Sequence, residues 1–166
     1  MDYVQVLGQL FLGSRPETPD DIDRLQRESK ITAVLNLQTD DDMRAVNLIW
    51  KPIEAHYRKS GIELCRVQVR DFDPIDLRAK LPECVRALNQ LLLAGQSVYV
   101  HCTIGASRSP TVAIAYLHWC LGWDLKEAET YLKERWECLP NMQALQLALW
   151  VPEQKQGQPG PLRGKV

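Results

Sequence analysis

The chain has 166 residues, of which 45% are hydrophobic and 25% are charged, and its formal net charge is −1 at pH 7. This length is enough for one hydrophobic core without disulfides or metals, and the composition is typical of a globular domain. The near-zero net charge excludes a global attraction to nucleic acid or to an anionic membrane, so the binding of any anionic ligand has to depend on local features.

The first part of the chain alternates short apolar runs with helix signals. Thr18 supplies a hydroxyl cap, Pro19 suits the first helical position, and two aspartates follow in the first turn. The near-continuous apolar run that comes next is typical of a strand covered on both faces. The predicted elements are, in order, strands over Tyr3–Val6 and Leu10–Leu12 that form a hairpin, a helix from Pro19 to near Ser29, a strand over Ile31–Leu37, and a helix between Met43 and Lys59 that ends at Gly61.

The remainder of the chain continues the alternation. The predicted elements are a strand over Ile62–Val69, a helix over Leu77–Ala94, a strand over Ser97–Val100, a helix over Thr111–Leu117, a helix from Asp124 to Arg135, and a short helix over Asn141–Trp150. Such alternation predicts an α/β fold, with a mixed, mostly parallel central sheet flanked by helices on both faces. We expect one domain over residues 1–151. The stretch 152–166 is rich in Gly, Pro and Gln and is predicted to be a disordered tail.

The segment from His101 to Ser109 carries the strongest chemical signal of the chain. It joins a predicted strand to a predicted helix N-terminus through a tight loop, and this arrangement points backbone N–H groups and the helix dipole at an anion. Ligands of such sheets bind beyond the C-terminal ends of the strands, where this loop falls. The loop therefore predicts a phosphate site. The predicted phosphate-binding residues are Thr103, Ile104, Gly105, Ala106, Ser107 and Arg108.

Cys102 lies at the start of this loop and is the candidate nucleophile. A free thiol titrates near about 8.5, whereas loop N–H groups, a helix end and an arginine favour the reactive thiolate. We expect Cys102 to attack phosphorus, Arg108 to hold two phosphate oxygens with its planar fork, and Ser109 to donate a hydrogen bond to the departing sulfur. The plain alternative is an ordinary buried cysteine and an ordinary surface arginine.

The loop resembles the signature of cysteine-dependent phosphatases of the dual-specificity type. The resemblance extends over roughly residues 2 to 150. The segment Arg70-Asp71-Phe72-Asp73-Pro74 closely resembles the aspartate loop of the plant glucan (starch) phosphatases, and Leu35-Asn36-Leu37-Gln38 resembles the same group. The resemblance implies the fold of that family and hydrolysis of phosphate monoesters through a phosphocysteine.

A phosphatase of this kind needs a general acid, because an unprotonated alkoxide is a poor leaving group. The resemblance implies that Asp71, the first aspartate of its loop, is this acid and later the base that activates water. Asp73 is the fallback. The alternative for Asp71 is a structural role, in which its carboxylate caps a turn or the following helix.

Two parts of the sequence favour different substrates. The aspartate loop resembles the glucan phosphatases, whereas Ile104 and Ser107 depart from their cysteine loop, and Ser107-Arg108-Ser109 resembles protein-directed enzymes. Ala45 and Val46 also lie where that group has an aromatic pair. Phe72 and Tyr3 remain as candidate platforms for a sugar ring, and the alternative for Phe72 is packing onto the core.

We favour a glucan phosphatase-like enzyme that acts on phosphorylated starch or glycogen. A protein tyrosine/serine/threonine phosphatase is the alternative. A lipid phosphatase is less favoured, because the loop carries only one cation, and a phosphate-binding pseudoenzyme is less favoured, because Cys102, Arg108 and Asp71 are all present. Activity on phosphorylated starch or glycogen would place the chain in carbohydrate metabolism.

The five cysteines are scattered and form no CxxC pair and no cysteine/histidine cluster. We therefore expect no metal and no cofactor. No signal peptide or membrane-spanning run is visible. We expect a cytoplasmic protein, or a plastid protein in a photosynthetic eukaryote, without nucleic-acid partners or stable membrane association.

Overall fold

The computed structural model describes residues 1–152, so the predicted tail, apart from Pro152, lies outside the described residues. The strands are β1 (Tyr3–Leu7), β2 (Leu10–Gly13), β3 (Ala33–Asn36), β4 (Glu63–Arg66) and β5 (Val98–His101). The helices are α1 (Pro19–Ser29), α2 (Asp40–Ala45), α3 (Trp50–Lys59), α4 (Pro74–Leu93), α5 (Arg108–Trp119), α6 (Leu125–Lys133) and α7 (Met142–Leu147). Within residues 1–152, none of these helices combines the length and the apolar character needed to span a bilayer.

The five strands form one sheet in the order β1-β2-β5-β3-β4. The β1–β2 hairpin is antiparallel, and every other neighbouring pair is parallel. The predicted fold class, a mixed and mostly parallel sheet between helices, is confirmed. Because the parallel strands share one direction, their C-terminal ends meet at one edge, and this edge carries the site.

Two hydrophobic cores cover the two faces of the sheet. The larger core joins α4, α5, α6 and α7 to one face, and the smaller core joins α1 and α3 to the other. The central strand β5 shows the division, since Val100 packs in the larger core and Tyr99 in the smaller one. Every residue of β3 and β5 is buried, which explains why their sequences are apolar runs without alternation.

Helix caps account for most of the boundaries. Thr18 accepts a hydrogen bond from the Asp21 amide and begins α1 as predicted, and Asp124 caps α6 in the same way. The helix predicted to begin at Leu77 begins at Pro74 instead, because the side chain of Asp73 caps it.

The single helix predicted between Met43 and Lys59 is wrong. The chain forms two helices there, and α2 begins earlier, at Asp40, because Thr39 and Asp42 form a capping box. Asn47 has a φ of 53° and turns the chain out of α2 before α3 begins. Asparagine tolerates this left-handed conformation better than most residues, so it marks the break.

Candidate active site

The phosphate loop, defined as residues 102–108, lies at the C-terminal edge of the sheet. It begins where β5 ends and finishes at the first residue of α5. Cys102 is 2% exposed and lies in a cleft of about 490 Å³. Its Sγ lies 3.3 Å from the hydroxyl of Ser109, the distance of a hydrogen bond to sulfur. The structure therefore brings together the predicted nucleophile and the predicted donor to the leaving sulfur.

Protein contacts hold the phosphate loop through its carbonyl groups. The Arg15 amide donates to the Thr103 carbonyl at 3.0 Å, and the Leu139 amide donates to the Ala106 carbonyl at 2.7 Å. The indole N–H of Trp136 donates to the Gly105 carbonyl at 2.8 Å. Because these carbonyls are drawn towards the protein, the loop can turn its amide N–H groups towards an anion in the cleft.

Two glycines meet where the phosphate loop crosses the end of β2. Gly105 has a φ of +76°, which favours glycine, and a Cβ at this position would lie 2.7 Å from the Gly13 carbonyl oxygen. Gly13 is equally crowded, since a Cβ there would lie 2.2 Å from the Asp2 carbonyl oxygen. The loop therefore depends on the absence of side chains at both positions.

Arg108 is 3% exposed and its guanidinium is held from two sides. Its Nη1 donates to a carboxylate oxygen of Asp42 at 2.6 Å and to the Val69 carbonyl at 2.7 Å. Its Nη2 contacts the Thr103 hydroxyl at 3.1 Å and a carboxylate oxygen of Asp71 at 3.0 Å. Its Nε has no hydrogen-bond partner among the described residues.

The aspartate loop, defined as residues 70–73, forms the opposite wall of the cleft. Asp71 directs one carboxylate oxygen at Arg108, so the predicted acid faces the phosphate loop. Asp73 accepts hydrogen bonds from the amides of Ile75 and Asp76 and caps α4. The helix cap considered for Asp71 thus belongs to Asp73, while the other carboxylate oxygen of Asp71 accepts a hydrogen bond from the Phe72 amide at 3.1 Å within the turn.

Phe72 lies at the mouth of the cleft and is 99% exposed. The alternative that it packs onto the core is therefore wrong. Its φ is +54°, a conformation that costs a bulky residue of order 1–3 kcal/mol. A strained backbone thus presents an aromatic ring to solvent in the cleft that Cys102 lines.

Tyr3, the second predicted platform, is not brought to the cleft. Its hydroxyl donates to Glu28 at 2.8 Å and accepts from Ser29 at 3.1 Å, so Tyr3 is joined to α1. The guanidinium of Arg24 lies over its ring. Of the two candidate platforms, Phe72 alone lines the cleft.

His101 lies fully buried behind the phosphate loop. Burial is the main reason that the pKa of His101 is lowered to about 4; the hydrogen bond to the Cys102 carbonyl opposes this shift, and nearby arginines, Arg108 first among them, add to it. Its Nδ1 lies 2.9 Å from the Cys102 carbonyl oxygen, an acceptor, so the neutral ring carries its proton on Nδ1. A neutral histidine therefore anchors the backbone of Cys102, the predicted nucleophile.

Sequence reasoning missed the partners of the phosphate loop. Asp42, Trp136 and Leu139 all contact it from distant parts of the chain. The pattern Thr39-x-x-Asp42 signals a helix start, but nothing in its spacing connects it to Arg108. Within residues 1–152, no three His, Cys, Asp or Glu side chains gather as metal ligands.

Comparison with known proteins agrees with this geometry. Residues 10–152 match the family model described as dual specificity phosphatase, catalytic domain. The chain is 34% identical to the phosphoglucan phosphatase LSF1, chloroplastic, of Arabidopsis thaliana, over 90% of this chain and 25% of that protein. It is 29% identical to laforin of Mus musculus, over 80% of this chain and 43% of that protein. The chain thus spans less than half the length of these relatives.

Solved structures of other proteins resemble the fold of this chain over most of its residues. The crystal structure of PTPMT1 superimposes with a TM-score of 0.72 and 25% identity, over 87% of this chain and 90% of that chain. That of human DUSP28 superimposes with a TM-score of 0.67 and 29% identity, over 87% of this chain and 90% of that chain. Fold and sequence therefore lead to the same family.

Proposed function

The chain belongs to the dual-specificity phosphatase family, and from this we propose that it hydrolyses phosphate monoesters through a phosphocysteine intermediate. The observation that carries the proposal is the position of Cys102. Its side chain is buried in a cleft, where it contacts Ser109 and lies at the start of the phosphate loop that Arg108 closes. A thiolate there lies at the centre of an anion-binding loop, which is the arrangement that nucleophilic attack on a phosphate requires.

In the first step the Cys102 sulfur attacks phosphorus, and the bond from phosphorus to the ester oxygen breaks. Asp71 delivers its proton to the departing oxygen, which leaves as an alcohol. The loop amides and Arg108 hold the equatorial oxygens of the phosphoryl group. The contact between Asp71 and Arg108 Nη2 has to give way to the phosphate, since both compete for the same N–H groups.

In the second step Asp71 acts as the base and takes a proton from water, whose oxygen attacks the phosphocysteine. The bond between phosphorus and sulfur breaks, and inorganic phosphate leaves. Ser109 donates a hydrogen bond to the departing sulfur, which is consistent with the 3.3 Å separation of the two atoms. The thiolate is then restored for another turnover.

We propose a phosphorylated glucan as the substrate. Two relatives named phosphoglucan phosphatases, LSF1 and DSP4 of Castanea sativa, are 34% and 33% identical to the chain. Phe72 supports this substrate, because an exposed ring at the mouth of the cleft offers a flat apolar surface to the face of a sugar. Removal of glucan phosphate would place the enzyme in carbohydrate metabolism, in the cytoplasm or in a plastid.

A phosphoprotein is the second candidate substrate. Two aliphatic side chains that line the same cleft, Ile104 and Leu139, are mostly exposed. Exposed aliphatic groups that surround a cleft mark interaction sites, and they suit apolar residues that flank a phosphorylated side chain better than they suit sugar hydroxyls.

The test is phosphate release by the purified protein from phosphorylated amylopectin or glycogen, with phosphotyrosyl and phosphothreonyl peptides alongside and Cys102→Ser as the blank. We expect faster release from the polysaccharide. Phe72→Ala should lower that release about tenfold or more while 4-nitrophenyl phosphate turnover changes little. The matched variant Leu139→Ala should affect peptides and spare the glucan.

Release from peptides alone, lowered by Leu139→Ala and not by Phe72→Ala, would replace the glucan proposal with the phosphoprotein one. No release from any substrate above the Cys102→Ser blank would overturn the phosphatase proposal itself.

A further inference from the structure

The first turn of α2 reaches the base of the catalytic cleft. Asp42 Oδ2 lies 2.6 Å from Arg108 Nη1, although 66 residues separate the two in sequence. Both side chains are shielded from solvent, with 11% of Asp42 and 3% of Arg108 exposed. An ion pair removed from water in this way is held more rigidly than a surface pair, which solvent and salt weaken.

The position of Asp42 is set by backbone contacts. Its Oδ2 accepts a hydrogen bond from the Thr39 amide at 2.8 Å, and its own amide donates to the Thr39 hydroxyl at 3.1 Å. Gln38, the residue before Thr39, donates to the Thr103 hydroxyl of the phosphate loop at 3.3 Å. Residues 38–42 therefore contact the phosphate loop near its start, at Thr103, and at its last residue, Arg108.

A guanidinium has five N–H donors in a fixed fork, and a phosphate uses one edge of that fork. Asp42 and the Val69 carbonyl engage Nη1, which turns this corner away from the ligand. The remaining edge consists of Nη2 and Nε. Nε has no partner among the described residues, and Nη2 contacts Thr103 and the Asp71 carboxylate, which phosphate would displace. The contact with Asp42 thus determines which edge of Arg108 is presented to phosphate.

We infer that Asp42 is a positioning residue, which orients Arg108 for bidentate binding of the phosphoryl group. A simple charge effect predicts the opposite result, because removing a carboxylate beside Arg108 would strengthen the binding of an anion. The two explanations therefore differ in the sign of one measured quantity, the affinity for an oxyanion.

The test compares Asp42→Asn with Asp41→Asn in the full chain. Asp41 lies in the same helical turn and carries the same charge, but it is exposed and pairs with Arg44. We expect Asp42→Asn to weaken tungstate binding, measured by calorimetry, at least about tenfold, and to lower kcat/KM for 4-nitrophenyl phosphate about a hundredfold. Asp42→Glu should recover most of both losses, and Asp41→Asn should match the parent protein.

Two results would overturn the inference. One is tungstate binding by Asp42→Asn that is as tight as, or tighter than, that of Asp41→Asn. The other is failure of Asp42→Glu to recover any affinity while it remains folded by circular dichroism. If Asp42→Asn does not fold, Thr39→Ala is the deciding variant, because it loosens the Thr39/Asp42 capping box and keeps the charge of Asp42. The tungstate affinity of Thr39→Ala should then fall severalfold. An unchanged affinity would contradict the inference.

The kinetic part of this inference rests on the proposed function, but the tungstate measurement does not. A protein that binds tungstate through Arg108 and hydrolyses no ester would leave the positioning role of Asp42 intact and would overturn only the phosphatase proposal.

Discussion

The two walls of the catalytic cleft are built on different principles. The phosphate loop is mostly buried and is tied by hydrogen bonds to Arg15 after β2, to α2 and to the segment between α6 and α7, all far from it in sequence. The aspartate loop is held mainly by neighbours within a few residues, and its most prominent side chain, Phe72, points into solvent. The residues proposed to hold phosphate and attack phosphorus are thus fixed by the whole fold, whereas the proposed acid, Asp71, and the proposed substrate contact, Phe72, lie on a locally held turn.

This difference separates the binding of phosphate from the contact with the rest of the substrate. A change in the phosphate loop has to be accommodated by several distant elements, because a packed interior transmits small shifts. A change at Phe72 disturbs no packing. Substrate choice can therefore vary in the aspartate loop without loss of the phosphate site.

Cys102→Ser gives the largest effect expected in the phosphate loop. A serine hydroxyl is a far weaker nucleophile, so we expect turnover of 4-nitrophenyl phosphate to fall at least about 10⁴-fold. Tungstate binding, measured by calorimetry, should persist because the loop and Arg108 are unchanged. Turnover within tenfold of the parent would contradict the role of Cys102.

Asp71→Asn tests the other wall of the cleft. Loss of a general acid should lower the hydrolysis of an alkyl phosphate by about 10²–10³-fold. An activated aryl phosphate should suffer much less, because its leaving group needs little protonation. Rates for both ester types, measured side by side with Asp73→Asn as the matched variant, decide the point. Equal losses on the two esters would argue against Asp71 as the acid.

The buried His101, behind the phosphate loop, is expected to make the free energy of unfolding fall as the pH is lowered. Because burial lowers the pKa of His101 to about 4, the unfolded chain, with a histidine pKa near about 6.5, binds the proton first as pH falls. Its contribution to stability is complete above about pH 6.5 and is lost between there and pH 4, to a total of about 3 kcal/mol.

The measurement is the free energy of unfolding in urea at several pH values from 7 to 4. His101→Gln, which cannot titrate, should flatten the slope in this window even if the variant is less stable throughout. An unchanged slope would show that other groups cause the acid dependence.

Gly105→Ala tests the close contact with Gly13. Gly122 is a matched control, because its φ is +75°, close to that of Gly105, and a Cβ there meets nothing within 4 Å. We expect Gly122→Ala to cost about 1 kcal/mol and Gly105→Ala about 1–3 kcal/mol more, from thermal unfolding. Catalysis should fall only in Gly105→Ala. Equal costs would mean that the two backbones separate easily.

Local signals in the sequence predicted most of the fold. The caps at Thr18 and Asp124 and the apolar runs of β3 and β5 are determined within a few residues, and the structure has these elements there. The break at Asn47 was missed because one residue with a positive φ leaves little trace in a helical pattern. The early start of α4 was missed because both Asp71 and Asp73 precede this helix, and only the structure shows that Asp73 is its cap.

The site was predictable only where its residues are close in sequence. The strand, loop and helix around Cys102 follow one another directly, so their chemistry is visible in the order of residues. The contacts of Asp42 and Trp136 with the loop depend on how α2 and the segment after α6 pack, and no periodicity encodes that arrangement. Tyr3 was misplaced for the same reason, because its partner Glu28 is specified only by tertiary packing.

The contact between Gly13 and Gly105 has a consequence for how the protein folds. It joins the N-terminal hairpin to the phosphate loop. In addition, β2 pairs in parallel with β5, although more than half of the described chain lies between the two strands. Closing so long a segment of chain is entropically costly, and such long-range pairings form slowly. During refolding, helical structure should therefore return before activity does, and the first turnover marks the moment at which the hairpin docks.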